Sequence, residues 1–264
     1  MDFPDRTPGP RNVVLEIKAS GIRGTDLGPY RRELKLGSRV SSGISRIDGP
    51  VIAGHEPCGA VVAVGSAVSE HEAKINQRVM DHHYDGCGTS RHCKYGWSQM
   101  CLDGAVVFGS GGHGAHARNM TVPAHTLVPL PGELSFEAGA AISCVTGTAY
   151  GALKRLALEG DATSSSDARR NAVRCTRAWG TACLVGIGGE VTLEVLPDLI
   201  HRQITLVGHW TFSKVGQADC ARFVSDRKID VDSLFTHKWA LEQAEEAYEL
   251  FDQQKTGKGV FLPS

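Results

Sequence analysis

The sequence predicts an α/β protein with a β-rich first half and a second half in which helices and strands alternate. Three observations carry this. Val13, Leu15 and Ile17 alternate with Val14, Glu16 and Lys18, the two-residue period of a half-buried strand. The run Gly59 to Val64 is a second strand bounded by Gly65, and glycine and proline punctuate this half heavily. Beyond Cys144 the order of segments becomes that of a parallel βαβ arrangement.

Each later element has its own signal. Glu137 to Leu158, rich in Ala, Gly and Leu, predicts a helix running out of the β-rich part. Asp167 is placed to cap a helix through about Arg177. Thr181 to Gly186 predicts a buried strand, Leu196 to Arg202 a short helix, and Ile204 to Gly208 another strand. Ala162 to Ser166, with its consecutive serines, reads as a loop or seam. Near the end, Leu241, Ala244, Ala247, Tyr248 and Phe251 recur at helical spacing while Glu242, Glu245, Glu246 and Glu249 fill the other face. Gly257 and Gly259 then lead into Val260, Phe261 and Leu262 as a closing strand.

A chain of 264 residues, 41% hydrophobic and 22% charged, can bury a sizeable core as one large domain or two modest ones. Its formal net charge of −1 gives no electrostatic reason to bind nucleic acid or an anionic membrane, which favours a small, uncharged partner. The apolar runs are too short to span a bilayer and Met1 to Pro10 has no apolar signal core, so a cytoplasmic location is expected. In that compartment eight cysteines, three of them between Cys87 and Cys101, read as metal ligands rather than disulfides.

The candidate chemistry lies in three places. His55 and Glu56 follow Gly54 after a buried-looking run, Cys87, Cys93 and Cys101 cluster, and Cys144 opens a small-residue helix. Thiolate, imidazole and carboxylate in this pattern point to zinc. Gly109, Gly111 and Gly114 satisfy G-x-G-x-x-G after the short strand Ala105 to Phe108, but no amphipathic helix follows and no acid-ended strand lies about 20 residues on, so this is not a dinucleotide fingerprint. Gly186, Gly188 and Gly189 fail for the same want of a following fingerprint helix.

Taken together, Lys18 to Leu27, Ala53 to Gly59, Cys87 to Cys101 and Cys144 to Gly151 resemble the zinc-containing medium-chain alcohol dehydrogenases through most of the chain. The resemblance implies a GroES-like catalytic domain over 1–145, a reduced Rossmann-like parallel sheet missing its first half over 146–210, and a segment over 211–264 that returns to the catalytic domain. It implies an oxidoreductase that takes a small alcohol or carbonyl substrate, uses zinc and NAD(P), and assembles as a homo-oligomer. Met1 to Gly9 resembles a stretch that in the family follows an initial strand or two. Between Leu158 and Ser164 the family carries a whole mononucleotide-binding half, for which this chain has no room.

The positions matching the catalytic zinc ligands are Arg23, His55, Glu56 and Cys144. Thr25 matches the hydroxyl that relays the alcohol proton, Asp26 is its neighbour in the polar shell, and His83 falls where the family lines its substrate pocket. Gly186, Gly208, His209 and Trp210 match the cofactor side, or are ordinary strand ends. In the second zinc lobe, Cys87, Cys93 and Cys101 match three of four thiolates and Ser90 stands at the fourth, with His92 adjacent.

Two substitutions set this chain apart. Arg23 stands where the family has a thiolate, and a guanidinium stays protonated and cannot ligate a metal. Ser90 removes a thiolate from the other lobe. The expectation is partial zinc occupancy and impaired turnover; the alternative is a non-catalytic zinc-binding or interaction protein on the same scaffold.

Overall fold

The computed structural model describes residues 7–31, 44–45, 50–156, 162–163, 166–185 and 190–263. The strands among these, in chain order, are β1 (Asn12–Ile22), β2 (Ile44–Ser45), β3 (Pro57–Val64), β4 (Arg78–Asp81), β5 (Tyr84–Asp85), β6 (Ala105–Val107), β7 (Asn119–Pro123), β8 (Leu127–Pro129), β9 (Ala162–Thr163), β10 (Thr181–Leu184), β11 (Thr205–Gly208), β12 (Phe235–Trp239) and β13 (Lys258–Phe261).

The largest sheet runs β12-β13-β1-β3-β4-β8, with β7 also on β1. β3 lies antiparallel to β1 between Val13 and Ser20, while β7 pairs with its first half and β13 with Ser20 to Ile22. The β1–β3 register slips at Val14/Leu15 and again at Ile17/Ala19. These irregularities break the strict alternation read from the sequence: Val14 is buried as well, and Ala19 to Ile22 are buried in succession. The fully buried end of β1 delivers the chain into the turn Gly24–Asp26.

Two cores flank this sheet. One gathers Val13, Leu15, Ile17, Val61, Val79, Met120 and Val122. The other joins Ala19, Cys58, Met80 and Val128 to the helix Phe136–Ile142, to Cys220 and Val224 of the helix Lys214–Asp226, and to Val260 of β13. The amphipathic helix Ala244–Asp252 packs Ala247 and Tyr248 with Ile22 and Phe261. Residues of the last fifty positions thus share cores with the first half.

The single helix expected over Glu137 to Leu158 is two, Phe136–Ile142 and Val145–Arg155, and Leu158 lies outside the described residues. Ser135 caps the first through Oγ, 2.8 Å from Ala138 N. The break falls at Cys144, whose φ of −148° and ψ of −68° are not helical. Ser143 Oγ, 2.9 Å from the Pro57 carbonyl, ties this break to β3.

The parallel arrangement is present as a separate sheet of order β11-β10-β9, with both pairings parallel. Ala162–Thr163, read as a loop or seam, is its third strand. The helix expected from Asp167 is Ser166–Cys175, so Asp167 lies inside it and Arg177 beyond it. The helix expected over Leu196 to Arg202 is a wide turn, Val195–Ile200, with bonds such as His201 N to Leu196 O at 2.9 Å. In the remaining sheet, β2-β6-β5, strands β5 and β6 pack against the turn Ser98–Met100 that precedes Cys101. No helix among the described residues is long and apolar enough to cross a membrane.

Candidate active site and metal lobe

A pocket opens where β1, the helix break at Cys144 and the end of β11 converge. Arg23, Thr25, Asp26, His55, His83, Cys144 and Trp210 line it, together with Tyr84, Phe108 and Thr211. Thr25 Oγ1 lies 3.1 Å from His55 Nε2, and His55 Nδ1 lies 2.8 Å from Asp26 Oδ1. The other Asp26 oxygen accepts from Arg23 N at 2.9 Å, closing the turn. Threonine, histidine and aspartate thus form one chain leading inward from the pocket.

Charge decides the protons in this chain. Burial disfavours an ionised Asp26, yet the charge and hydrogen bond of His55 hold it well below the ordinary carboxylate range. Burial likewise disfavours the imidazolium, and Asp26 overcomes it, raising His55 to about 10. His55 therefore carries protons on both nitrogens near neutrality and donates to Thr25 and Asp26.

Arg23 Nη1 donates to Cys144 Sγ. Burial of Cys144 opposes a thiolate, and the charge of Arg23 together with the hydrogen bond and charge of His55 outweighs it, lowering the thiol below its ordinary value. His83 is buried, and its Nδ1, 3.1 Å from the Ser143 carbonyl, must carry the hydrogen. Burial and the neighbouring charge of His55 hold it neutral. Its ring meets Tyr84 at 4.2 Å and His55 at 5.2 Å between centroids.

Glu56 turns away from this pocket. Its carboxylate is fully buried, Oε2 paired with Lys258 Nζ and Oε1 without a hydrogen-bond partner. A Cβ on Gly21 would lie 1.9 Å from Oε2, so any larger residue there would displace the carboxylate. The sequence thus brings Thr25, His55, Cys144 and His83 to one pocket, and leaves Glu56 against Lys258 of the closing strand.

Of the residues expected at the cofactor, Trp210 lines the pocket, whereas His209 is buried against Gly151, where a Cβ would lie 2.6 Å from Nε2. Gly208 is exposed, and Gly186 lies outside the described residues, as do Gly188 and Gly189.

The cysteine lobe is the sole group among the described residues whose metal-donor atoms gather, with the atoms of Cys87, Cys93 and Cys101 all within 4.8 Å of one another. Its backbone is shaped around sulfur. Ser90 N donates to Cys87 Sγ at 3.2 Å, and Cys87 N to Cys101 Sγ at 3.3 Å. Thr89 Oγ1 also reaches Cys87 Sγ at 3.4 Å and is the chief reason that this thiol is drawn down to about 7. Gly86 must be glycine, since a Cβ would lie 2.6 Å from Cys93 Sγ. Gly88 and Gly96 take φ of +69° and +79°. Ser90 caps the short helix Arg91–Lys94, its Oγ 3.5 Å from Cys93 N and 3.8 Å from Cys101 Sγ. His92 does not belong to the gathered set.

The two metal positions differ in fit. Three thiols in a cradle of N–H donors suit a thiophilic metal held by Cys87, Cys93 and Cys101. At the pocket, Arg23 occupies the sulfur of Cys144, and Glu56 is committed to Lys258. A zinc ion there would meet a fixed cation and a dispersed donor set, so the pocket residues do not fit it.

Sequence reasoning did not find Tyr84, Phe108, Thr211 or Lys258. The first three flank singled-out residues, His83, Gly109 and Trp210, which was a usable signal. Nothing local marked Lys258, whose partner is 202 positions away.

Residues 9–132 match the family model of the alcohol dehydrogenase GroES-like domain. The chain is 28% identical to the uncharacterized zinc-type alcohol dehydrogenase-like protein YphC of Escherichia coli K12 over 333 aligned positions, covering 96% of this chain and 92% of that protein. That alignment is longer than the 264-residue chain, so some of its positions have no counterpart here. L-threonine 3-dehydrogenase of Stenotrophomonas maltophilia K279a is 34% identical over 139 residues, 53% of this chain and only 38% of that enzyme. In structure, the chain resembles a zinc-binding dehydrogenase from Sinorhizobium meliloti 1021 bound to NADP, with a TM-score of 0.78 at 18% identity over 98% of this chain and 94% of that one.

Proposed function

We propose that the chain, a member of the zinc-type medium-chain alcohol dehydrogenase family, keeps the family's scaffold and cysteine metal lobe while its pocket has exchanged the catalytic metal for a hydrogen bond from a guanidinium to a cysteine sulfur. The parent reaction is NAD(P)-dependent interconversion of an alcohol and a carbonyl compound. On this chain it runs weakly or not at all. The observation that carries the proposal is the contact between Arg23 and Cys144.

In the family's chemistry, zinc supplies the Lewis acid that polarises the substrate oxygen. Here the guanidinium stands in the place of that ion as a charge, but it has no open coordination position to offer. The proton path persists without the metal. His55, held as the imidazolium by Asp26, can deliver a proton through the Thr25 hydroxyl to an oxygen in the pocket. His83 and Tyr84 give the small substrate an aromatic wall, and Trp210 and Thr211 stand on the side assigned to the nicotinamide.

The same reading assigns 1–145 to the GroES-like domain, 146–210 to a remnant of the cofactor domain and 211–264 to the returning segment. Its support is the three-stranded parallel sheet and the excess length of the alignment with YphC. By sequence, Gly186, Gly188 and Gly189 after β10 lie outside the described residues and are not followed by the fingerprint helix whose N-terminus anchors a pyrophosphate. Without that anchor a nicotinamide is poorly positioned for hydride transfer.

The test measures zinc content, NAD(H) binding by calorimetry and alcohol oxidation on one purified sample, beside Arg23→Cys. At most one equivalent of zinc and background oxidation are expected in the unmodified chain. The variant gains zinc without gaining turnover. Two tightly held zinc equivalents in the unmodified chain, or micromolar NAD(H) binding with turnover, would falsify the proposal.

A further inference from the structure

We infer that the lobe formed by Cys87, Cys93 and Cys101 is a three-thiolate receptor for three-coordinate thiophilic elements, with trivalent arsenic, presented as arsenous acid, as its best-matched ligand. This rests on the reading of the lobe as a metal site and goes beyond it by naming what the loss of the fourth thiolate selects.

Structural zinc sites are closed tetrahedra of four protein donors. Here the fourth position is held by Ser90, and its hydroxyl is engaged twice. It accepts from Cys93 N at 3.5 Å as the helix cap and faces Cys101 Sγ at 3.8 Å. A neutral hydroxyl committed in this way is a poor substitute for a thiolate, and His92 does not join the set whose donor atoms gather within 4.8 Å. Zinc held by these three cysteines would therefore have a vertex left for solvent. An element that prefers three sulfurs in a pyramid loses nothing, because its remaining vertex is filled by its own lone pair.

The three sulfurs are also held in place before any ligand arrives. Two of them accept a backbone N–H, Cys87 from Ser90 and Cys101 from Cys87, and Cys93 rests against Gly86, where no side chain could stand. Cys87 is exposed, so a neutral solute can reach it first and engage the half-buried pair afterwards. The other five cysteines offer no comparable set: among the described residues no other three donors gather.

The reaction balances without an oxidant. Three S–H bonds and three As–OH bonds break, three As–S bonds form, and each hydroxyl leaves as water with a thiol proton. Arsenic stays trivalent throughout. If zinc was bound, it departs as the dication and the three protons come from solvent.

The experiment titrates the purified full chain with arsenous acid, anaerobically and against a competing monothiol. Intact mass and peptide mapping after thiol alkylation are the readouts, with zinc release followed in parallel. The expected product carries one arsenic less three hydrogens, with Cys87, Cys93 and Cys101 protected from alkylation and bound zinc released. Cys93→Ser should weaken arsenic binding by more than the roughly tenfold that loss of an outer-shell partner costs a metal site. Ser90→Cys, which restores the tetrahedron, should raise the ratio of zinc to arsenic affinity by a similar factor or more. Arsenic held by only two of these thiols, or carried on Cys144 or Cys175, overturns the inference, as does an unchanged ratio in Ser90→Cys. If the chain holds zinc tightly and excludes arsenic, the inference falls while the metal-lobe reading stands; if it holds neither, both fall.

Discussion

The ammonium of Lys258 closes on the carboxylate of Glu56 across 202 positions of sequence, joining the closing strand to the turn that carries His55. Lys258 also donates to the Ile22 carbonyl at 3.0 Å, so one side chain binds β13, β1 and the His55 turn together. Glu56 has no exposure, and one of its oxygens is otherwise unpartnered.

Removing only the lysine leaves that carboxylate buried without its cation. Lys258→Met is therefore expected to cost about 3–5 kcal/mol in urea unfolding. The double variant Glu56→Gln/Lys258→Met should lose clearly less than the two single variants summed, because the stranded charge is gone. Simple additivity would show that the pair does not carry the energy assigned to it.

The pair Arg23 and Cys144 is asymmetric in a different way. Cys144 can stand as a neutral thiol when its partner is removed, whereas the guanidinium of Arg23 cannot shed its charge. Cys144→Ala should therefore destabilise more than Arg23→Met, by about 1–2 kcal/mol, less than the roughly 3–5 kcal/mol that breaking a fully buried pair costs because Arg23 is partly open to the pocket. Denaturant midpoints of the two variants decide it, and the reverse order would mean that another group neutralises Arg23.

What the sequence made legible here depended on range. β1, the lobe spacing and the amphipathic helix Ala244–Asp252 are local patterns, and each formed as its residue types dictate. Thr25, His55, His83 and Cys144, singled out in the sequence, line one pocket. Glu56 was misjudged because its environment is set by Lys258, and no local pattern reports a partner brought in by strand pairing. The sequence offered both a continuous helix over Glu137 to Leu158 and a helix opened by Cys144, and the tie of Ser143 to Pro57 marks the interruption that favours the second. Ala162–Thr163 reads as loop by composition, and becomes a strand because Cys183 and Leu184 supply its hydrogen bonds.

Asp81 supplies a pH dependence that is independent of either metal position. It is fully buried, one oxygen bonded by Thr126 Oγ1 and the other without a partner, and burial raises it to about 7. An unfolded aspartate titrates near 3.8. The folded state therefore binds the extra proton between these values. The stability it contributes is fully present below about 3.8 and is lost as the pH rises through about 7. Asp81→Asn keeps the acceptor for Thr126 and removes the titration. Relative to this variant, the unmodified chain should lose about 2 kcal/mol between pH 5 and pH 8, a discounted share of the 1.36 kcal/mol per unit of displacement. His82 and His116, both lowered to about 4 chiefly by burial, slope the opposite way between about 4 and 6.5. They are common to both proteins and cancel in the difference. Paired urea titrations at the two pH values make the measurement, and a difference that does not change with pH would mean that Asp81 is ionised throughout.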